Sequence, residues 1–477
     1  MLREVAGRAV VAGLEFDAAR IGYVEQEYNL AGAATGYALA AEPSDDGVWT
    51  VRAVGESPFT TRVVVYRPAN GRRFSGNVFL EWMNVSTGAD AMPAWRDLHM
   101  EGARGGDVWA AVSVQPTGVH GGMQLMPRST GRAVNLQAID GERYGALQIP
   151  AEEYAFDMFR ATARAIRNGL MVNGGRAVNR VFAVGTSQSA SYLVTYINVF
   201  GRSAAEFDGY LVHKWMAGTA APIEGVGLDA HGRRKFISDS PVQIRDDGHA
   251  KVIVVQPEGD ALPMNLGLRS YRQADSEDLR LWQVAGAAHA SSFTEFTAKD
   301  DGSQSNTSML NAVIPTKSFA GYGASVDVTC PEYINNGPQT EYVSSAALRW
   351  LRTWGAGGPA PPIGDRFRYP PGGVAEPIRD QFGIVRGGVR SPWVDAPIAA
   401  IGGRGTVNDH DPFCQVFGFT RPFDRATLRR LYPGGAAHYE RRFRASLELM
   451  ERDGFILPED ARRAIEVAVM SYPADDA

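Results

Sequence analysis

Six short apolar runs constrain the fold of this 477-residue chain more than any other feature of its sequence. Each run has roughly five to seven residues without clean alternation, which is typical of a strand buried on both faces of a parallel sheet. An apolar helical stripe over 151–170 and shorter helical patterns over 93–105 and 188–200 fall between the runs. This alternation of strand and helix predicts a doubly wound α/β sheet. The runs begin at Val78, Val108, Arg180, Phe207, Lys251 and Leu279.

The first 75 residues are expected to extend this sheet. Two short β-branched runs, 48–54 and 61–67, indicate strands, and Pro58 between them indicates a break. Residues 1–75 are therefore predicted to form an N-terminal β extension of the core.

The core itself is predicted to span residues 76–300 and to carry two lid segments. The segments near 116–150 and 214–250 are long and rich in glycine or charge, and each follows a strand end, where substrate loops lie. Residues 301–477 are predicted to form a helical and loop region packed on the core. Apolar stripes at helical spacing support this prediction over 338–354, 438–452 and 459–471.

The charge balance and the hydropathy pattern exclude some classes of partner. The net charge is −5, so the sequence predicts no basic surface and no nucleic-acid partner. No apolar run approaches the ~20 residues that cross a bilayer, so no membrane span is expected. The first residues lack the apolar core of a signal peptide, which makes the cytoplasm the default location and leaves secretion after processing open. The oligomeric state is not predicted.

The chain has two cysteines, Cys330 and Cys414. They form no CxxC pattern, so neither a zinc site nor a disulfide-rich scaffold is expected. Two buried free thiols are favoured over a single bridge, and the pairing is left open.

The strongest signal for chemistry is the motif Gly185-Thr-Ser187-Gln-Ser189, between an apolar run and a helical pattern. A nucleophile elbow needs this layout, because small residues allow the sharp strand-to-helix turn that lifts a serine hydroxyl above the sheet. The helix N-terminus also favours negative charge on a developing oxyanion. Ser189 stands where the usual pattern has Gly and is small enough to fit. The alternative for Ser187 is a helix-capping serine.

Two later strand ends carry the residues that a nucleophilic serine needs. The run from Lys251 leads to Glu258-Gly-Asp260, and the run from Leu279 leads to His289. Histidine can take the proton of a serine hydroxyl, and a carboxylate holds the histidine tautomer and stabilises the imidazolium. The order serine, acid, histidine is that of the α/β-hydrolase triad, and open α/β sheets place their sites at these strand ends. Asp260 is the preferred acid because it lies deeper in the loop, and Glu258 is the alternative.

An oxyanion hole needs two backbone amides. The elbow supplies the amide of Gln188, and the loop after the run from Val78 supplies that of Asn84 or Val85. The rival element is His120-Gly-Gly. It follows the run from Val108, which is one strand later than the strand whose loop is expected to supply this amide.

These residues lie in segments that resemble the α/β-hydrolase superfamily, and more specifically a bacterial "alpha/beta hydrolase domain" family of serine esterase-like proteins. The resemblance extends from residue 20 to residue 470, with a conservative departure at Val389. It implies an α/β-hydrolase fold with a mostly parallel, eight-stranded sheet and helices on both faces. It also implies a serine carboxyl-ester hydrolase without metal or organic cofactor. The resembling segments are Gly76-Asn-Val-Phe-Leu-Glu-Trp-Met-Asn-Val-Ser, Val184-Gly-Thr-Ser-Gln-Ser, Glu258-Gly-Asp, Val284-Ala-Gly-Ala-Ala-His-Ala, Gly387-Gly-Val-Arg-Ser-Pro and Pro422-Phe-Asp.

The expected function is hydrolysis of a small-molecule carboxylic ester through an acyl-enzyme on Ser187. His289 is expected to act as general base and then acid, and Asp260 to orient it. Acyltransferase, lactonase, thioesterase and amidase activities use the same triad and stay open as alternatives. A binding protein that kept the fold without catalysis is the alternative from another class.

Overall fold

A computed structural model gives the fold of the chain. It describes every residue except 15–16, 123–133, 173–175, 204, 217–218, 222, 224–240, 262–270, 294–312, 322–325, 372–375, 407–411 and 474–477.

One large sheet organises the described residues, and its nine strands lie in the order β1-β2-β3-β5-β4-β6-β7-β8-β9. From β5 onward every neighbouring pair is parallel, while β1, β2 and β3 are antiparallel additions at one side. All six apolar runs are strands, so the predicted α/β sheet is confirmed. The sheet has nine strands rather than the expected eight, because Leu2–Val5 pairs with β2 as an extra edge strand. The strands are β1 (Leu2–Val5), β2 (Tyr23–Leu39), β3 (Val51–Pro68), β4 (Asn77–Trp82), β5 (Val108–Val112), β6 (Arg180–Thr186), β7 (Gly209–His213), β8 (Lys251–Pro257) and β9 (Leu279–Val284).

The N-terminal extension is a long β2–β3 ribbon, which the sequence predicted only in part. Pro58 was expected to separate two strands, but it lies inside β3, opposite Ala33 of β2. Proline is tolerated there because β5 pairs only with residues 63–66 of β3, so at Pro58 the strand has β2 alone as a ladder partner. Strand β2 was missed because its Gly32 and neighbouring small residues give no β-branched pattern.

The sheet is buried on both faces, which explains its unbroken apolar runs. Along β4, Val78, Leu80 and Trp82 pack into one core with helices α5 and α6, while Phe79 packs into a second core with α1 and α8. The helices are α1 (Pro93–Gly105), α2 (Pro116–His120), α3 (Leu136–Ile139), α4 (Gly141–Tyr144), α5 (Ala155–Arg167), α6 (Gln188–Phe200), α7 (Glu258–Ala261), α8 (Gln339–Gly355), α9 (Pro392–Asp395), α10 (Arg425–Leu431), α11 (Gly435–Arg452) and α12 (Pro458–Ser471).

The C-terminal region packs helices α8, α11 and α12 on the second core and adds two small antiparallel sheets. These pair β10 (Ser318–Gly321) with β11 (Val326–Thr329), and β12 (Ala399–Gly402) with β13 (Phe419–Pro422). Among the described helices, none is long and apolar enough to cross a bilayer. The division of the chain at residues 75 and 300 stays a prediction.

A disulfide joins Cys330, just after β11, to Cys414 in a short 3-10 helix over 412–415. The expectation of free thiols is therefore wrong. The two cysteines lie 84 positions apart, and only the folded C-terminal region brings their Cα atoms to 5.5 Å.

The two lid segments stay predictions. In the first segment, α2, α3 and α4 are short helices, while 123–133 lies outside the described residues. In the second, 217–218, 222 and 224–240 lie outside them.

Candidate active site

Ser187 lies at a sharp turn between β6 and α6. Its backbone φ is +61° and its ψ is −121°, a conformation that residues other than glycine rarely adopt. Gly185 has no room for a side chain, because a Cβ atom there would lie 2.5 Å from the carbonyl oxygen of Ser189. The Ser187 amide donates to the carbonyl oxygen of His213 at 3.0 Å and fixes the turn against β7. The local backbone is thus the strained strand-to-helix turn that a nucleophile elbow requires.

Ser189 fits the position where glycine is usual because its hydroxyl completes the turn. The Ser189 Oγ atom accepts from the amide of Thr186 and donates to the carbonyl oxygen of the same residue, both at 2.9 Å. The hydroxyl of Ser187, in contrast, makes no capping hydrogen bond to α6. The helix-cap alternative for Ser187 therefore has no support in this geometry.

His289 and Asp260 form a hydrogen-bonded pair at the ends of β9 and β8. The His289 Nδ1 and Asp260 Oδ1 atoms lie 2.7 Å apart. The side chain of His289 is 12% exposed and that of Asp260 is 1% exposed. Because Nδ1 faces the carboxylate, Nε2 is the ring atom left for proton transfer.

Glu258, the alternative acid, is used elsewhere. Its Oε2 atom accepts from the amide of Gly286 at 2.9 Å, and its Oε1 atom accepts from Arg379 at 2.8 Å. Burial raises the pKa of Glu258, and Arg379 opposes that shift. Glu258 therefore ties the loop that leads to His289 to the C-terminal region.

Ser187 is not hydrogen-bonded to His289 in the described part of the chain. Both follow strand ends at the same edge of the sheet, and β6, β7, β8 and β9 are neighbours in that order. Catalytic hydrogen bonds are often long without substrate and shorten in the complex. The geometry therefore brings acid and histidine into contact and puts the serine at the same edge.

The two candidate loop amides for an oxyanion hole differ in their partners. The amide of Asn84 donates to the carbonyl oxygen of Ala91 at 3.0 Å and is thus committed to the loop. The amide of Val85 donates to the Gln188 side-chain oxygen at 3.3 Å, so it faces the residue after Ser187. The amide of Gln188 has no intrahelical acceptor, because Gln188 is the first residue of α6. These partners favour the amides of Val85 and Gln188 as the candidates for an oxyanion hole, and that role stays a prediction.

Glu81 contacts the first turn of α1, the helix that follows the Val85 loop. This fully buried carboxylate accepts from the amides of Ala94 and Trp95 in the first turn of α1, at 2.8 and 3.0 Å, and from Trp109 Nε1 at 2.8 Å. Burial raises the pKa of Glu81 to about 8. The contact fixes where α1 begins and so limits the path of the loop between β4 and α1.

His120, the rival oxyanion element, lies in the segment near 116–150 that the sequence predicted to be a lid. Both of its ring nitrogens have partners there, the side-chain oxygen of Gln137 at 2.9 Å and the amide of Ile149 at 3.1 Å. His120 thus organises residues 137–149.

The family model for the alpha/beta hydrolase domain matches residues 3–466. The chain belongs to this family. No curated protein matches it significantly.

Solved structures similar to this alpha/beta hydrolase share little sequence with it. XC6422 from Xanthomonas campestris, a serine hydrolase without a lid, is 15% identical at a TM-score of 0.23, over 48% of this chain and 71% of its own. A glucuronoyl esterase from Solibacter usitatus is 11% identical at a TM-score of 0.27, over 58% and 70%. LipA, a rice cell wall degrading esterase from Xanthomonas oryzae, is 12% identical at a TM-score of 0.25, over 46% and 50%.

A buried polar cluster beside the elbow of this hydrolase was missed by the sequence reasoning. His213, the last residue of β7, contacts Thr186 Oγ1 and Ser344 Oγ, both at 3.0 Å. Lys214 follows and contacts Asp97 at 2.7 Å and Glu341 at 3.5 Å. The available signal was position, because His213 and Lys214 end an apolar run at the same sheet edge as Ser187.

Within the described residues, no group of three or more His, Cys, Asp and Glu side chains is arranged to hold a metal ion.

Proposed function

We propose that this alpha/beta hydrolase is a serine hydrolase that cleaves small-molecule carboxylic esters through an acyl-enzyme on Ser187. The observation that carries the proposal is the combination of a strained turn at Ser187 with a His289–Asp260 pair at the same edge of the sheet. A serine hydroxyl is a weak nucleophile, and a neighbouring histidine held by a carboxylate is the usual means of activating it.

In the proposed reaction, His289 Nε2 takes the proton of Ser187 as the Oγ atom bonds to the ester carbonyl carbon. The imidazolium then gives this proton to the leaving alcohol as the ester C–O bond breaks, which leaves an acyl group on Ser187. A water molecule loses a proton to His289, attacks the acyl carbon and releases the acid, and Ser187 regains its proton. Asp260 keeps the Nδ1 proton of His289 in place and stabilises the imidazolium.

The oxyanion of the tetrahedral intermediates is proposed to bind between the amides of Val85 and Gln188. The Gln188 amide is at the N-terminus of α6, where partial positive charge favours an anion. The hydrogen bond from Val85 to the Gln188 side chain is long at 3.3 Å, so a carbonyl oxygen can replace that acceptor at small cost.

The test compares Ser187→Ala with Ser203→Ala. Ser203 lies in another Gly-x-Ser sequence, is exposed in the turn after α6 and is not at an elbow. A fluorophosphonate probe should label the wild type and the Ser203 variant once per chain and leave the Ser187 variant unlabelled. Hydrolysis of nitrophenyl esters of graded acyl length should fall by a factor of at least ~10³ in Ser187→Ala alone. Retained ester hydrolysis in Ser187→Ala would refute the proposal.

A second comparison separates the two acids. Asp260→Asn should lower kcat by a factor of about 10⁴, because the histidine would lose its correct tautomer. Glu258→Gln should lower stability and leave most of the activity, because Glu258 contacts Gly286 and Arg379 rather than His289. The reverse pattern would assign the acid role to Glu258.

The disulfide also bears on where this hydrolase acts. Disulfides persist in oxidising compartments and are rare in the cytoplasm of mesophiles. The Cys330–Cys414 bridge therefore favours a compartment outside the cytoplasm over the default location.

A further inference from the structure

The loop after β4 is hydrogen-bonded to both residues that flank Ser187. The side-chain amide of Asn84 donates to the carbonyl oxygen of Thr186 at 2.9 Å, on one side of the serine. The backbone amide of Val85 donates to the Gln188 side chain at 3.3 Å, on the other side. Asn84 and Val85 directly precede Ser86, so these two contacts join the loop to the elbow immediately before Ser86.

Ser86 is fixed in this loop through its backbone, while its hydroxyl is left over. Its amide donates to Asn84 Oδ1 at 2.9 Å. The residue is only 7% exposed, and its buried Oγ atom has no hydrogen-bond partner among the described residues. An unpaired buried hydroxyl is unfavourable, so its presence at this position needs an explanation.

We propose that Ser86 is a further catalytic residue, whose hydroxyl donates a hydrogen bond to the substrate carbonyl oxygen as that oxygen becomes an oxyanion on Ser187. This inference rests on the proposed function. The hydroxyl can rotate toward the substrate without breaking a hydrogen bond, because it makes no hydrogen bond with the described residues. The new bond strengthens as charge develops on the oxygen, so it stabilises the transition state more than the bound ester.

The rival explanation is a hydroxyl with no part in the reaction, and Tyr210 supplies the control for it. Tyr210 is in β7, its hydroxyl is also buried without a partner among the described residues, and it pairs with Ala183, three residues before the end of β6. Ser86→Ala and Tyr210→Phe each remove one unpartnered hydroxyl, and neither leaves a former partner unpaired. Both variants should therefore fold with a Tm close to that of the wild type.

Kinetics on a nitrophenyl ester separate the two explanations. Ser86→Ala should lower kcat roughly 100-fold, with KM changed by less than about threefold. A trifluoromethyl ketone, which forms an oxyanion adduct with the enzyme, should bind more weakly by the same factor. Tyr210→Phe should keep kcat within about twofold of the wild type.

The results distinguish failure of this inference from failure of the proposed function. If Ser187→Ala is inactive and Ser86→Ala keeps its kcat and its affinity for the ketone, only the role of Ser86 is refuted. A lowered kcat with unchanged ketone affinity also refutes that role, because the hydroxyl would then not bind the oxyanion. If Ser187→Ala is active, both proposals are refuted.

Discussion

His213 should make this hydrolase lose stability in mild acid. The imidazole is fully buried between Thr186 Oγ1 and Ser344 Oγ. Burial, and then the adjacent Lys214 ammonium group, lower the pKa of His213 to about 3, against an ordinary value of 6.5. Between these two pKa values, His213 is therefore neutral in the folded protein and protonated in the unfolded chain.

The sign and the size of the effect follow from linkage. A base with a lowered pKa in the folded state binds fewer protons there than in the unfolded chain, so stability falls as the pH falls below 6.5. At pH 5.0 the unfolded imidazole is almost fully protonated and the folded one is not. The resulting loss of unfolding free energy between pH 7.5 and 5.0 is about 2 kcal/mol from His213 alone.

Urea unfolding at both pH values measures this loss. His213→Gln removes the titrating group and keeps one donor and one acceptor. The loss of unfolding free energy between pH 7.5 and pH 5.0 should therefore be about 2 kcal/mol smaller in this variant than in the wild type. His249→Gln makes the same replacement at an exposed position and should retain the wild-type pH dependence. If His213→Gln loses as much stability in acid as the wild type, the burial argument is refuted.

Two further predictions concern stability. Thiol titration of the unfolded, unreduced protein should find no free thiol, and two free thiols would exclude the bridge. Reduction of Cys330–Cys414 should lower the unfolding free energy by up to about 4–5 kcal/mol, because the bridge closes a long loop. Lys214→Met should destabilise the fold by about 3–5 kcal/mol, because it leaves the buried carboxylates of Asp97 and Glu341 without the ammonium group. Urea unfolding measures this loss, and an unchanged midpoint of the urea transition would contradict the prediction.

The sequence predicted the sheet where local pattern determines it. The run from Val78 becomes β4 because its residues alternate between two buried cores, so an unbroken apolar run was the correct signature. Strand β2 has no such pattern, and its pairing with β3 along the ribbon, rather than its composition, makes it a strand. Whether Cys330 and Cys414 are bonded was likewise unpredictable, because their approach depends on the whole C-terminal region.

The candidate site divides in the same way, and the two acids show why. Glu258 and Asp260 are two positions apart in one short helix, so the sequence could favour Asp260 by its depth in the loop but had to keep Glu258 as the alternative. The assignment proposed here depends on contacts with distant segments, since Gly286 and Arg379 engage Glu258 while His289 engages Asp260. Ser86 ends one of the segments that resemble the family, but its proposed role follows only from what Asn84 and Val85 bind across the sheet edge. Motifs identify residues whose chemistry is local, whereas residues that act through contacts with other strands become visible only in the folded chain.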